Sequence, residues 1–469
     1  MIRRSALGLG LLVLLPALGL AALLGASALV GRTPAELLAH AEGQAQAVPP
    51  LGPLVAPALG ALRQAFADDA AGGISLPFSV PRLPANPAAA ASAPVVATAD
   101  PATAAAVAGG GRRIQVGPGR SIQTVAGAAA IARDGDTIEI DPGDYLADVA
   151  VWQQAALTIR GMGARVRLIA NGASAEGKAT WVVRGGRITV EGIDFIGSRV
   201  ADQNGAGIRF EAGHLVVRRC LFFDNQNGIL ASPNPESVLE VEQSEFGHNG
   251  AGDGQTHHLY ANQIRQLVVT GSYFHHANVG HLIKSRAARS LITYNRLSDE
   301  TGGRASYELE FPNGGAAVVL GNLVQQGSQT SNSVMLSYGA EGYRWPLNQL
   351  RVAHNTLVND HPHGGTFVRA MPGAELVLML DNLLVGRGGL DLPDDAVRQR
   401  NHRLDWSAFA QAAREDYRLV PAARAELPAL PVAEIDADLL PRQEYRHPAG
   451  LRALDGPTRF PGAVQSPAP

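Results

Sequence analysis

The sequence predicts an all-β chain: a right-handed parallel β-helix solenoid with a capping helix at its N-terminal end. A strand-like hexad recurs eight times between Val190 and Leu384, as in Val217–Phe222, Val269–Phe274 and Met379–Leu384. One position is shared by all the hexads, Ile193, Cys220, Ser244, Ser272, Asn295, Asn322, Asn355 and Asn382, spaced 23 to 33 residues apart. The segments between hexads are rich in Gly, Asn, Ser and His and alternate with period two, which is the strand period and not the helical one.

A repeat of this length is one supersecondary unit per period, stacked on its neighbours to bury a continuous core. Leucine-rich repeats share the length, and Leu350–Leu357 comes close to their pattern. Their returns are helical, whereas these are not, so the β-helix is preferred. The asparagine column then reads as an inward ladder at a bend, where stacked amides satisfy backbone groups that the corner would orphan. Cys220 shares the column and reads as buried packing.

The body starts at Arg112. Ile114–Val116 reads as a strand, Ser121–Ala126 opens an Ala-rich helix, Thr137–Ile140 is the next strand, and Asp141-Pro142-Gly143-Asp144-Tyr145 turns the chain. This order resembles the N-terminal cap of pectate-lyase-like β-helices, which a solenoid needs because its first coil would otherwise expose the core end-on. The expected organisation is a signal-anchor over 1–31, a Pro/Ala-rich linker with short helices over 32–111, the β-helix over 112–425 and an irregular tail over 426–469.

Arg3 and Arg4 precede an uncharged apolar run from Ala6 to Val30. That run exceeds the h-region of a signal peptide and meets the ~20 residues needed to cross a bilayer. The basic flank places the N-terminus in the cytoplasm. The expectation is a single-pass protein of a bacterial inner membrane with a periplasmic body, or a secreted one if cleavage occurs at Ala26-Ser27-Ala28. A net charge of −3 excludes a general nucleic-acid binder. One cysteine excludes an intrachain disulfide framework and a cysteine-based zinc site. Nothing in the sequence sets an oligomeric state.

A second strand stack lies between the hexads: His257–Ala261, His281–Arg286, Tyr307–Phe311 and Ser333–Tyr338. Alternate residues of a strand share a face. Placing Leu259, Ile283, Leu309 and Leu336 inward sends His258, Tyr260, Lys284, Arg286, Glu308 and Glu310 outward, on coils about 4.8 Å apart. His257 falls out of phase and reads as packed inward. The loop Gly339–Trp345 carries charged and aromatic tips that could stack on sugars. His275-His276 and His361-Pro362-His363 read as loop histidines, solvated more often than metal-bound.

The segment His281–Ser285 followed by Ile292–Asn295 resembles the part of the alginate lyase and chondroitinase B family that carries its catalytic lysine. The resemblance implies Lys284 as the base. That family has an arginine on the next coil; here Glu310 stands there, so Arg286 substitutes from the same strand or Glu308 and Glu310 bind a cation. Ca²⁺, an oxygen-preferring ion, is the one they would hold; no cofactor is otherwise required.

The expected activity is lysis of an acidic, uronate-containing polysaccharide by β-elimination. A cation neutralises the carboxylate, Lys284 or neutral His258 removes the C5 proton, and Tyr260 protonates the leaving oxygen. Glu308, Asn313, Tyr338 and Arg344 are the expected substrate contacts. The rivals are a non-catalytic glycan-binding or envelope scaffold, and a glycoside hydrolase or C5-epimerase. For hydrolysis, Glu308 and Glu310 would stand about 7 Å apart along the strand, but the adjacent cations leave no obvious acid.

Overall fold

The computed structural model describes residues 111–466, apart from 429, 433 and 434. The anchor expected over 1–31 and the linker expected over 32–111, Gly111 excepted, lie outside the described residues. Among the described residues no helix is long and apolar enough to cross a membrane.

The chain winds into three stacked parallel sheets of 12, 10 and 11 strands, visited in rotation, so that each strand pairs with its counterparts one coil before and one coil after. The first sheet runs from Arg113–Val116 to Val397–Gln399, the second from Ala150–Trp152 to Gly389–Asp391, and the third from Gly143–Leu146 to His402–Leu404. A seven-residue helix, Val125–Ile131, lies between the first two strands of the first sheet, with Val125 and Ala128 buried. Asp148 accepts from the backbone N–H groups of Val125 and Ala126, satisfying donors that a helix start leaves free.

The recurring hexad spans the corner from the first sheet to the third. Its asparagines form the ladder: Asn295 Nδ2 donates to Asn322 Oδ1, Asn322 to Asn355, Asn355 to Asn382 and Asn382 to Asn401. The same oxygens accept the backbone N–H of the rung before. The residue ahead of each rung adopts a positive φ, as at Tyr294, His354 and Asp381; the corner needs that turn, and the amides cap the groups it exposes. Cys220 is buried, its thiol pushed up to about 12 by burial, which fits packing rather than nucleophilic use.

On the coils before the ladder runs an aromatic column. Trp152, Trp181, Phe195, Phe222, Phe246 and Phe274 follow one another with ring centroids 4.5–5.2 Å apart. Each fully buried ring contributes roughly 1.5–3 kcal/mol by leaving water, and contact with the next ring adds about 0.5–1.5 kcal/mol.

Trp406–Arg414 holds two 3₁₀ turns flanking a strand, Phe409–Gln411, that pairs antiparallel with Asp416–Leu419. Residues 426–469 carry a hairpin, Gln443–Tyr445 with Leu451–Ala453. Ile435 and Leu439 pack on Leu320, Ala353 and Leu380 of the coils.

Candidate functional site

The second sheet presents one outward column: Leu230, Tyr260, Lys284, Glu310, Ser337, Arg369 and Asp391 are register partners on successive coils. At its early end Val182 and Leu230 pack with Val151 and Tyr260, and Arg209 stands between Val182 and Leu230 in the register. Its middle is charged. Lys284 Nζ lies 3.2 Å from Glu310 Oε2, and His281 Nε2 lies 2.9 Å from the same oxygen. The His281 ring N–H is not aimed along that approach, which leaves both His281 Nε2 and Glu310 Oε2 buried without an aligned hydrogen bond.

Burial pushes the Glu310 carboxyl up, but His281 and Lys284 outweigh it and bring the group to about 2. Burial lowers His281, against the pull of Glu310. At neutral pH the site therefore holds an ionised carboxylate beside a neutral imidazole. On its other side His281 meets His257, whose Nδ1 accepts from the His281 backbone N–H at 3.0 Å, and Tyr307, stacked at 4.9 Å.

Arg286 reaches back to the Tyr260 hydroxyl. It also pairs with Glu341, Nε to Oε2 at 3.0 Å. Glu341 belongs to the loop Gly339–Trp345, and that loop is fastened over the face: Trp345 Nε1 donates to the Arg286 carbonyl at 3.0 Å and Tyr343 to the Met371 carbonyl at 2.5 Å. Asn313 anchors it from below, its carbonyl accepting from Arg344 N at 3.0 Å and its amide reaching Glu341 at 3.4 Å. Arg344 itself is exposed on the loop.

Tyr260, Lys284, Arg286 and Glu310 thus share a face as the alternation predicts. His258, Glu308 and Tyr338 do not, and the expectation for them is corrected. On these coils two consecutive residues turn inward near the start of the strand, so the column of His258 and Glu308 contains Leu282, Met335 and Phe367 of the core. The opposite shift brings His257 out to the site.

His258 is fully buried. Its Nδ1 accepts from Asn249 Nδ2 at 2.8 Å and its Nε2 donates to the His275 carbonyl at 2.9 Å. It finishes a second interior amide column, Asn225 to Asn249. Burial takes it to about 3, but with both nitrogens engaged inside it meets no substrate. Glu308 is equally buried, accepting from Gln326 at 3.2 Å; burial first, then Asp299, hold its carboxyl well above the usual range. Tyr338 points inward, its hydroxyl donating to the Gly315 carbonyl at 2.7 Å.

The donors expected for Ca²⁺ therefore do not fit it. Glu308 faces the core, and Glu310 is engaged by an ammonium and an imidazole, so the two carboxylates do not converge. The pair expected for hydrolysis is lost for the same reason. Glu341 and His281 are the site residues that sequence reasoning did not single out; both stood in segments it had quoted, but neither lies on the alternating positions.

Three stacked parallel sheets with an inward asparagine column and one polar outward face define a parallel β-helix. Among solved structures the chain is similar to pectate lyase Pel9A, at 11% identity over 70% of this chain and 90% of that chain, with a TM-score of 0.43. No family model and no curated protein matches the sequence.

Proposed function

We propose that the protein acts on an acidic polysaccharide laid along the second sheet, as a lyase cleaving a uronate linkage by β-elimination. The observation that carries this reading is the shared oxygen. Lys284 and His281 both approach Glu310 Oε2, so one carboxylate holds an amine and an imidazole at a single point of the face. The Lys284 amine takes the C5 proton, and Glu310 stabilises the ammonium that forms. Arg286, on exchanging Glu341 for the substrate carboxylate, neutralises the charge that keeps C5–H unreactive. The C4–O bond breaks as the C4=C5 bond forms, and Tyr260 gives its phenolic proton to the leaving oxygen.

One observation favours a second reading, a glycan-binding scaffold without turnover. Lys284 and Arg286 are already matched by Glu310 and Glu341, so an anionic glycan must displace a partner. Incubating the protein with a panel of acidic polysaccharides separates the two. An unsaturated, ultraviolet-absorbing product that disappears in Lys284→Ala is the result expected of a lyase. Saturable binding without that product supports the scaffold and overturns the lyase.

A further inference from the structure

Away from the second sheet, at the corner following the third, three histidines from two consecutive coils come together. We infer that His248, His275 and His276 form a binding site for a transition-metal ion of the Zn²⁺ class, bridging those coils. One ring nitrogen from each lies within 4.8 Å of the others. His275 Nδ1 and His276 Nδ1 already stand 2.7 Å apart.

The register explains the convergence. Gly247 pairs with His275, so the residues after them, His248 and His276, stack with ring centroids 4.7 Å apart. Both take a positive φ, 55° and 53°, which gives the two side chains the same departure from the coil. The place opposite His275 must be glycine: a Cβ on Gly247 would stand 2.6 Å from the His275 ring. The His275 backbone is also tied to the core, since its carbonyl accepts from buried His258.

The hydrogen bonds point to a Lewis acid. Glu245 Oε1 lies 3.2 Å from His275 Nε2, the carboxylate–imidazole contact that commonly orients a metal-bound histidine. It places the proton on Nε2 and leaves Nδ1 as a lone pair aimed at the Nδ1 of His276. Such an approach is favourable only with a proton or a metal ion between the rings. Imidazole donors suit Zn²⁺, Ni²⁺ or Cu²⁺ rather than Ca²⁺ or Mg²⁺. Three of them leave a coordination position for water, and exposed His248 puts that position at the surface.

The test uses the full chain without a polyhistidine tag, stripped by chelator and titrated with Zn²⁺ by calorimetry and with Co²⁺ by visible absorption. One equivalent should bind, with a rise in Tm on Zn²⁺ addition and Co²⁺ bands of four- or five-coordination. His248→Gln and His276→Gln should each weaken binding at least ~10-fold, and Glu245→Gln by about 10–100-fold. His248 is exposed, so its variant keeps the metal-free Tm and separates lost coordination from lost folding. Absence of stoichiometric binding, or binding that both histidine variants retain, overturns the site.

Discussion

Lys284 Nζ lies 3.2 Å from Glu310 Oε2 across a single rung of the second sheet, and His281 reaches the same oxygen from the other side. Glu310 is thus the hub of the face, holding the lysine at the surface while keeping a proton acceptor within reach. Glu310→Gln removes the charge and keeps the shape. The expected outcome is loss of activity by at least ~100-fold with little change in KM, because Arg286 and its loop partner stay in place. A variant that loses only substrate affinity would make Glu310 a binding group and remove its part in the proton transfer.

The same cluster sets a pH dependence. His281 leaves Glu310 Oε2 to Lys284 only when neutral. Burial lowers it from the ordinary imidazole range, so it is competent above its own pKa and fails as pH falls through it. Activity should therefore hold at pH 7 and decline on an acid limb below ~6.5. Glu310, held at about 2, titrates too low to produce that limb. A pH profile of kcat on wild type and on His281→Gln checks this. The variant should be slow throughout and lack the limb, and an unchanged limb would assign it elsewhere.

Where the sequence was legible, a periodic signal carried it. The asparagine column could be read because each member sits at one position of a repeating hexad, and the pairing of Tyr260, Lys284 and Glu310 because strand alternation holds through the middle of the sheet. Alternation fails at the corner. There His258-Leu259, Leu282-Ile283 and Glu308-Leu309 each place two successive residues inward, so a strict period of two misassigns the first of each pair and hides His257. Asn225 and Asn249, a second ladder, escaped notice because it is only two rungs long. Glu341 comes from a loop, whose path over the face depends on contacts at Trp345 and Tyr343 far from any repeat.

The misassigned Glu308 gives a stability prediction. Its folded-state pKa lies above the unfolded value because burial, then Asp299, disfavour the charge. Below the unfolded pKa both states carry the proton and no penalty arises. As pH rises past it, the unfolded chain releases the proton and the native state retains it, so stability falls until the folded pKa is passed. Glu308→Gln abolishes that term, and its amide oxygen can still accept from Gln326. The variant should melt higher than wild type at pH 8, by ~2 °C or more, with the gap closing near pH 4. Equal melting temperatures at both pH values would mean that Glu308 ionises freely in the fold.

The asparagine ladder should be strongest at its centre. Asn322 Oδ1 accepts from both the backbone and the side-chain amide of Asn295, while its own amide donates to the Ile292 carbonyl and to Asn355. Asn322→Ala strands several buried groups at once, and each unmet one costs about 1–3 kcal/mol. Asn401 ends the ladder half-buried, accepting from Asn382 and donating to the Met379 carbonyl, so water can replace part of what its removal exposes. Denaturant unfolding should therefore show Asn322→Ala losing ~3 kcal/mol or more and Asn401→Ala about 1 kcal/mol. Equal losses would mean that the amides act independently and that neighbouring rungs do not support one another.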